Sequence, residues 1–191
     1  MHDVNYGGSD IKESGMGYAI LDTGTSLMYI GKSDYYNFLD KLLAAVPDFD
    51  CLSRVYCFTT KNTCDVYTPK MSSLMIQLQE NYYTLPPAAY TYSTTGSFGR
   101  KQCTVAISYS DDSTGIYILG DTFLRNFVTT FDYDNGEIRL AINKNAPSGI
   151  IIEYKMSGWK IFLIIVGCLA AVALFICLIV CLCKRHQKKK L

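Results

Sequence analysis

The chain has 191 residues, enough for one folded core of the usual roughly 100–200 residues and for no second full domain. Its 18 Lys and Arg stand against 17 Asp and Glu, a net charge of +1. Lys184, Arg185, Lys188, Lys189 and Lys190 carry that excess, so everything before them is mildly acidic, which excludes a basic nucleic-acid surface interleaved with aromatics.

The opening residues, MHDVNYGGSD, hold no apolar stretch of the kind a secretory signal needs, so the sequence is expected to be a fragment of a longer exported protein. From Val4 to about Ile142 short runs of Tyr, Thr, Val and Ile are broken by Gly, Asn and Asp, the texture of β structure. Strands are expected over residues 16–21, 73–79, 82–85, 105–109, 116–119, 127–133 and 137–142. One helix interrupts them. Ser33 is its expected N-cap, Asp34 sits in the first turn, apolar residues recur at 35, 38, 39, 42, 43 and 46, and Pro47 ends it. Between the last two strands, Asp134-Asn135-Gly136 predicts a tight hairpin.

After Ala146 the pattern changes, and residues 147–160 read as a stem. Residues 161–183, IFLIIVGCLAAVALFICLIVCLC, form an uncharged apolar run longer than the roughly 20 residues that cross a bilayer core. Trp159 and Lys160 mark one interface and the basic tail, residues 184–191, marks the other. Lys and Arg are retained on the cytoplasmic side, so the expected topology is single-pass type I, with the large domain lumenal or extracellular. The terminal Lys188-Lys189-Lys190-Leu191 is similar to a dilysine retrieval signal of the endoplasmic reticulum, or is simply a stop-transfer cluster.

Eight cysteines divide along the same line. Cys51, Cys57, Cys64 and Cys103 precede the span, and an even count in an exported domain predicts two disulfides whose pairing the sequence leaves open. Cys168, Cys177, Cys181 and Cys183 read as apolar filler, with the last two near enough to the cytoplasmic face for S-palmitoylation.

The chemistry concentrates in two segments. In the first, the apolar Ala19-Ile20-Leu21 runs into Asp22-Thr23-Gly24-Thr25-Ser26, a turn built from one carboxylate and small residues. A P-type ATPase phosphorylation loop would carry a Lys between Asp and Thr, which is absent. About a hundred residues later comes Tyr117-Ile118-Leu119-Gly120-Asp121-Thr122-Phe123-Leu124-Arg125-Asn126, followed by Phe131-Asp132 and Ile138-Arg139-Leu140-Ala141. In order and spacing, and with Ser73-Leu74, Leu85-Pro86-Pro87 and Ala89-Tyr90 between them, these segments resemble the C-terminal lobe of pepsin-like aspartic proteases.

The resemblance implies an all-β fold over residues 1–146, a partial C-terminal lobe with orthogonally packed sheets and one or two short helices. It implies that Asp22 is the second of two catalytic aspartates and that the Thr23 hydroxyl links the two active-site loops. Gly24 would let the backbone approach water and substrate, and the Thr25 hydroxyl would bond the outer carboxylate oxygen. Ile118, Leu119 and Gly120 would brace the loop from behind, Ile118 lining a primed-side pocket, while Asp121 would be structural. The implied activity is endoproteolysis of peptides or proteins by an Asp-activated water, with no metal or organic cofactor. One aspartate is half of that machinery. The N-terminal lobe is a missing partner, so this chain alone is expected to be inactive; the alternatives are a non-catalytic pseudo-protease lobe used for binding and a homodimer that pairs two copies of Asp22. The family's lobe disulfide implies that Cys103 bonds either Cys57 or Cys64, leaving Cys51 for the other.

Overall fold

The computed structural model describes residues 3–12, 17–95, 99–110, 116–155 and 158–188. Met16 of the first expected strand, residues 156–157 of the expected stem, and Lys189, Lys190 and Leu191 of the tail lie outside them. The chain forms two units, Met1–Tyr154 and Lys155–Leu191.

The first unit is all-β in its framework, as expected. A five-stranded antiparallel sheet runs, edge to edge, β15 (Ile151–Tyr154), β8 (Asn81–Leu85), β7 (Leu74–Leu78), β1 (Val4–Tyr6) and β2 (Ser9–Asp10). A second antiparallel sheet orders β5 (Asp50–Leu52), β6 (Tyr56–Thr59), β10 (Lys101–Val105) and β9 (Thr91–Thr95). The third is mixed, in the order β11 (Ile107–Ser110), β4 (Met28–Gly31), β12 (Ile116–Leu119) and β3 (Tyr18–Leu21). Here β4 lies parallel to β11 and antiparallel to β12, and β12 lies parallel to β3. The predicted hairpin forms as β13 (Phe127–Asp132) and β14 (Glu137–Ile142). Its turn is held by Asp132, whose carboxylate accepts from the Asn135 backbone at 3.1 Å and side chain at 3.0 Å. Gly136 supplies the left-handed residue, at φ +63°.

The expected helix is α1 (Lys32–Ala45), and its start differs from the expectation: the cap is Gly31, with no side-chain capping bond, so Ser33 lies inside the helix. Asp34 stands in the first turn, as expected, and its carboxylate accepts the Tyr117 hydroxyl. Phe38, Leu39 and Leu42 recur at helical spacing and are fully buried with Met28, Ile30, Leu74 and Ile76. Burial of each such side chain contributes about 1.5–3 kcal/mol, and together they seat α1 between the first and third sheets. Two one-turn helices, α2 (Pro87–Tyr90) and α3 (Asp121–Leu124), complete the unit.

The reading of residues 147–160 as a stem is corrected in part. Ile151–Tyr154 is a full strand whose partners are Thr84, Tyr83, Tyr82 and Asn81. The Tyr154 hydroxyl adds a bond of 2.6 Å to the Glu80 carboxylate. The segment's β-branched Ile151 and Ile152 suit a strand, and pairing with β8 satisfies the backbone groups on that side. The second unit is one helix, α4 (Gly158–Lys188); within Gly158–Ile179 an 18-residue stretch has a mean hydropathy of 3.2, and the helix is long and apolar enough to cross a membrane.

The disulfide pairing left open by the sequence is Cys64 with Cys103 and Cys51 with Cys57. The second staples β5 to β6 at directly opposed positions.

Candidate active site

The third sheet builds the site. β3 delivers the chain to Asp22, residues 22–27 form a turn, and β4 carries the chain back on the far side of β12, so the turn straddles the end of β12. Backbone bonds lock it there. Asp22 N–H donates to Leu119 O at 3.2 Å, Asp121 N–H to Thr25 O at 2.7 Å, and Thr122 N–H to Ser26 O at 3.1 Å. The buried Thr122 hydroxyl adds a second donor to Ser26 O at 2.9 Å. Gly120 makes this contact close: a Cβ there would lie 2.3 Å from both Thr25 O and Leu27 O, nearer than any side chain can stand. Leu119 and Gly120 thus brace the loop, and Asp121 contributes its N–H.

The half-buried Asp22 carboxylate is oriented from within its own turn. One oxygen accepts the Gly24 N–H at 2.9 Å and the other the Thr25 hydroxyl at 2.5 Å. The Thr25 hydroxyl first, and the Gly24 N–H second, hold its pKa below the ordinary carboxylate value by favouring the charged form. At Gly24 a Cβ would crowd the carboxylate at 3.3 Å. Thr23 is exposed, and among the described residues its hydroxyl makes no hydrogen bond. Ile118 and Ile20 are register partners on the open face of the sheet, Ile118 half-buried and Ile20 50% exposed.

Two supports escaped the sequence reading. The Tyr117 hydroxyl donates to the Asp34 carboxylate, tying β12 to α1 directly behind the loop, with both residues buried. Burial first, and the Asp34 carboxylate second, push Tyr117 ionisation far above its ordinary range. The signal available was alternation, since Tyr117 falls on the inward phase of β12. Asn126 is fully buried and donates to Thr122 O at 2.8 Å and Phe123 O at 3.2 Å, closing α3 under the clamp. Among the described residues no group of three or more His, Cys, Asp or Glu side chains converges as a metal site would. A separate cavity of about 410 Å³ opens beside β3, between Gln79 of the β7–β8 turn with Asn81 of β8 and Glu137 with Leu140 of β14; Asp22 does not line it.

The first unit thus presents one carboxylate, oriented by Gly24 and Thr25, on a braced turn at the end of a β-sheet. Comparison with known proteins specifies the class. The eukaryotic aspartyl protease family matches residues 1–143. Plasmepsin I of Plasmodium falciparum is 30% identical over 143 residues, 74% of this chain and 28% of the plasmepsin. Human cathepsin D is 30% identical over 126 residues, and chymosin of Callithrix jacchus 31% identical over 123, each covering 64% of this chain and 28% of the relative. The chain belongs to the eukaryotic aspartyl protease family, and it spans under a third of the length of these relatives.

Proposed function

We propose that this chain is the C-terminal lobe of a membrane-anchored aspartic endopeptidase and that Asp22 supplies one of its two catalytic carboxylates. The observation that carries this reading is the Asp22 carboxylate, held on both oxygens by Gly24 and Thr25 in a loop clamped by residues 119–122. In aspartic proteases generally, two carboxylates about 3 Å apart share one proton, one acting as base on a water and the other as acid toward the carbonyl. The attacked peptide passes through a tetrahedral intermediate with no covalent link to the enzyme. Asp22 alone lacks the second group. A complementary lobe would bring it, and the unengaged Thr23 hydroxyl is available to bond that lobe's loop. Ile20 and Ile118 beside the aspartate favour an apolar substrate side chain next to the scissile bond.

The apolar α4 and the basic residues after it support a type I anchor, with the protease lobe on the lumenal or outer side and a tail suited to retrieval.

The test is hydrolysis of a quenched fluorescent peptide between about pH 3 and 6, the range in which such dyads share a proton. It compares residues 1–158, the full-length protein in which a complementary N-terminal lobe precedes this chain, and that two-lobed protein with Asp22→Asn. Only the full-length wild type should turn over, and a transition-state analogue with a tetrahedral hydroxyl should inhibit it. Activity of the isolated lobe that grows with the square of its concentration, abolished by Asp22→Asn, would replace this reading with the homodimer. A folded, inactive full-length protein would replace it with the pseudo-protease.

A further inference from the structure

The two disulfides among the described residues differ in what can reach them. Cys64 and Cys103 are both buried, so a dissolved thiol meets neither sulfur. Cys51 is half-buried and Cys57 fully buried, so the other bond shows one side to solvent and hides the other. It joins directly opposed residues of β5 and β6, just below a tip where Ser53 and Arg54 take φ of 50° and 55°, a left-handed pair without glycine. Such a conformation persists only while its surroundings hold it.

Side chains share that task with the disulfide. The Val55 carbonyl accepts the Ser108 hydroxyl at 3.1 Å and the Tyr35 hydroxyl at 3.1 Å, and the Arg54 guanidinium pairs with Asp40 at 2.6 Å. The Tyr35 hydroxyl also lies 3.5 Å from Cys57 Sγ. It has one proton to donate, and while the disulfide is intact the carbonyl is the better acceptor. Burial first, and Tyr109 second, push Tyr35 ionisation up to about 12, so the proton stays on the hydroxyl wherever thiols exchange near neutral pH.

We infer that Cys51 is a site of thiol–disulfide exchange, open to small monothiols and to dithiols, and that opening its bond loosens the β5–β6 tip through Tyr35. The attacking thiolate bonds Cys51 Sγ, and the electron pair of the broken S–S bond leaves on Cys57 Sγ. That thiolate is a charged acceptor and outcompetes the neutral Val55 carbonyl for the Tyr35 proton. Val55 keeps only Ser108, and the left-handed pair loses its staple and one anchor together. Cys57 then takes a proton from water. Where the reactant is a dithiol, its second thiolate attacks its own sulfur in the mixed disulfide, so Cys51 is released as a thiol and the dithiol departs oxidised to a disulfide. Two electrons and two protons have passed to the protein. Opening a separation of 6 residues also gives up less chain restriction than opening one of 39, which favours this bond as the one that exchanges. The inference is independent of the protease reading.

The experiment holds the full-length protein, in detergent, at graded dithiothreitol, quenches with iodoacetamide and maps the peptides by mass. Cys51 and Cys57 should be alkylated at a dithiothreitol concentration about tenfold below that needed for Cys64 and Cys103. With glutathione in its place, the adduct should sit on Cys51 and not on Cys57. Opening of both disulfides together, or an adduct on Cys57, overturns the proposal. Loosening of the tip is read as the rate of trypsin cleavage after Arg54, which reduction at a dose that spares Cys64–Cys103 should raise about tenfold. Tyr35→Phe should be cut faster than the wild type while oxidised, and reduction should then add only about threefold. Ser108→Ala, which leaves Tyr35 as the hydroxyl on Val55, should show a larger factor than the wild type and keeps the test open if Tyr35→Phe does not fold. No rise in the wild type, or the same factor in the wild type and in the folded variants, overturns the proposal.

Discussion

At the scale of single residues, the Asp22 turn makes a prediction about acidity. Its carboxylate is ionised more easily than an ordinary Asp because the Thr25 hydroxyl and Gly24 N–H bond the charged form. With the folded pKa below the unfolded one, these bonds favour folding at pH above the unfolded value of about 3.9, and that contribution is lost as pH falls through the folded value. Thr25→Val removes the larger cause and leaves the turn's backbone bonds in place. The Asp22 carboxyl titration, followed by NMR in residues 3–155, should move upward toward the ordinary Asp value; an unchanged titration would assign the shift to Gly24 alone. The same variant in the full-length enzyme should shift the acid limb of the pH profile upward, since that limb reports the group that must be ionised.

At the scale of elements, the two disulfides are unequal. Cys64–Cys103 closes a separation of 39 residues and Cys51–Cys57 one of 6. Loop-closure entropy alone gives about 4 kcal/mol for the first and about 2 kcal/mol for the second. Thermal unfolding should therefore fall further for Cys64→Ala/Cys103→Ala than for Cys51→Ala/Cys57→Ala. The elements themselves were legible in the sequence where a pattern was long or its turn explicit. α1 announced itself by apolar positions at helical spacing, and β13–β14 by Asp134-Asn135-Gly136 between two alternating runs. The Asp22 turn showed in its small residues, Thr23, Gly24, Thr25 and Ser26 beside one carboxylate, whereas a brace at 118–120 was an expectation of the resemblance alone. What stayed hidden was short or decided at a distance. β1, β2 and β5 have two or three residues each and exist only because a neighbour pairs with them. The choice of Cys64 over Cys57 for Cys103 is non-local: β10 pairs with β6 in the register that sets Cys103 opposite Thr59, and the Cys64–Val66 turn packs against β9 and β10. The Tyr117–Asp34 bond joins residues 83 positions apart, and nothing in either local sequence points to the other.

At the scale of the whole molecule, several apolar side chains of the first unit stand uncovered. Tyr18 is 75% exposed, and Phe131, Ile138 and Ile142 are exposed along a hairpin that runs off the core. Such surfaces on a soluble domain mark an interface, which supports the proposal of a second lobe. The other whole-molecule expectation is orientation. With the tail cytoplasmic, protease added to sealed microsomes should remove an epitope after Leu191 and spare one before Val4; the reverse pattern would invert the proposed topology. Lys188→Ser/Lys189→Ser should then release the full-length protein to later compartments, and unchanged localisation would reduce the tail to a stop-transfer cluster.

β15 gives this arrangement a mechanical property. It is an edge strand, bonded to β8 alone, and it is the last strand before α4 in the chain. In the proposed anchored protease, tension between α4 and the first unit would enter that unit through the segment that ends β15. The four residue pairs from Ile151 to Tyr154 would separate first, lengthening the tether by about 13 Å of extended chain, while the strand pairing of the sheet that carries Asp22 stays intact. The strand acts as a breakaway link, giving slack under tension and re-pairing when the tension is gone.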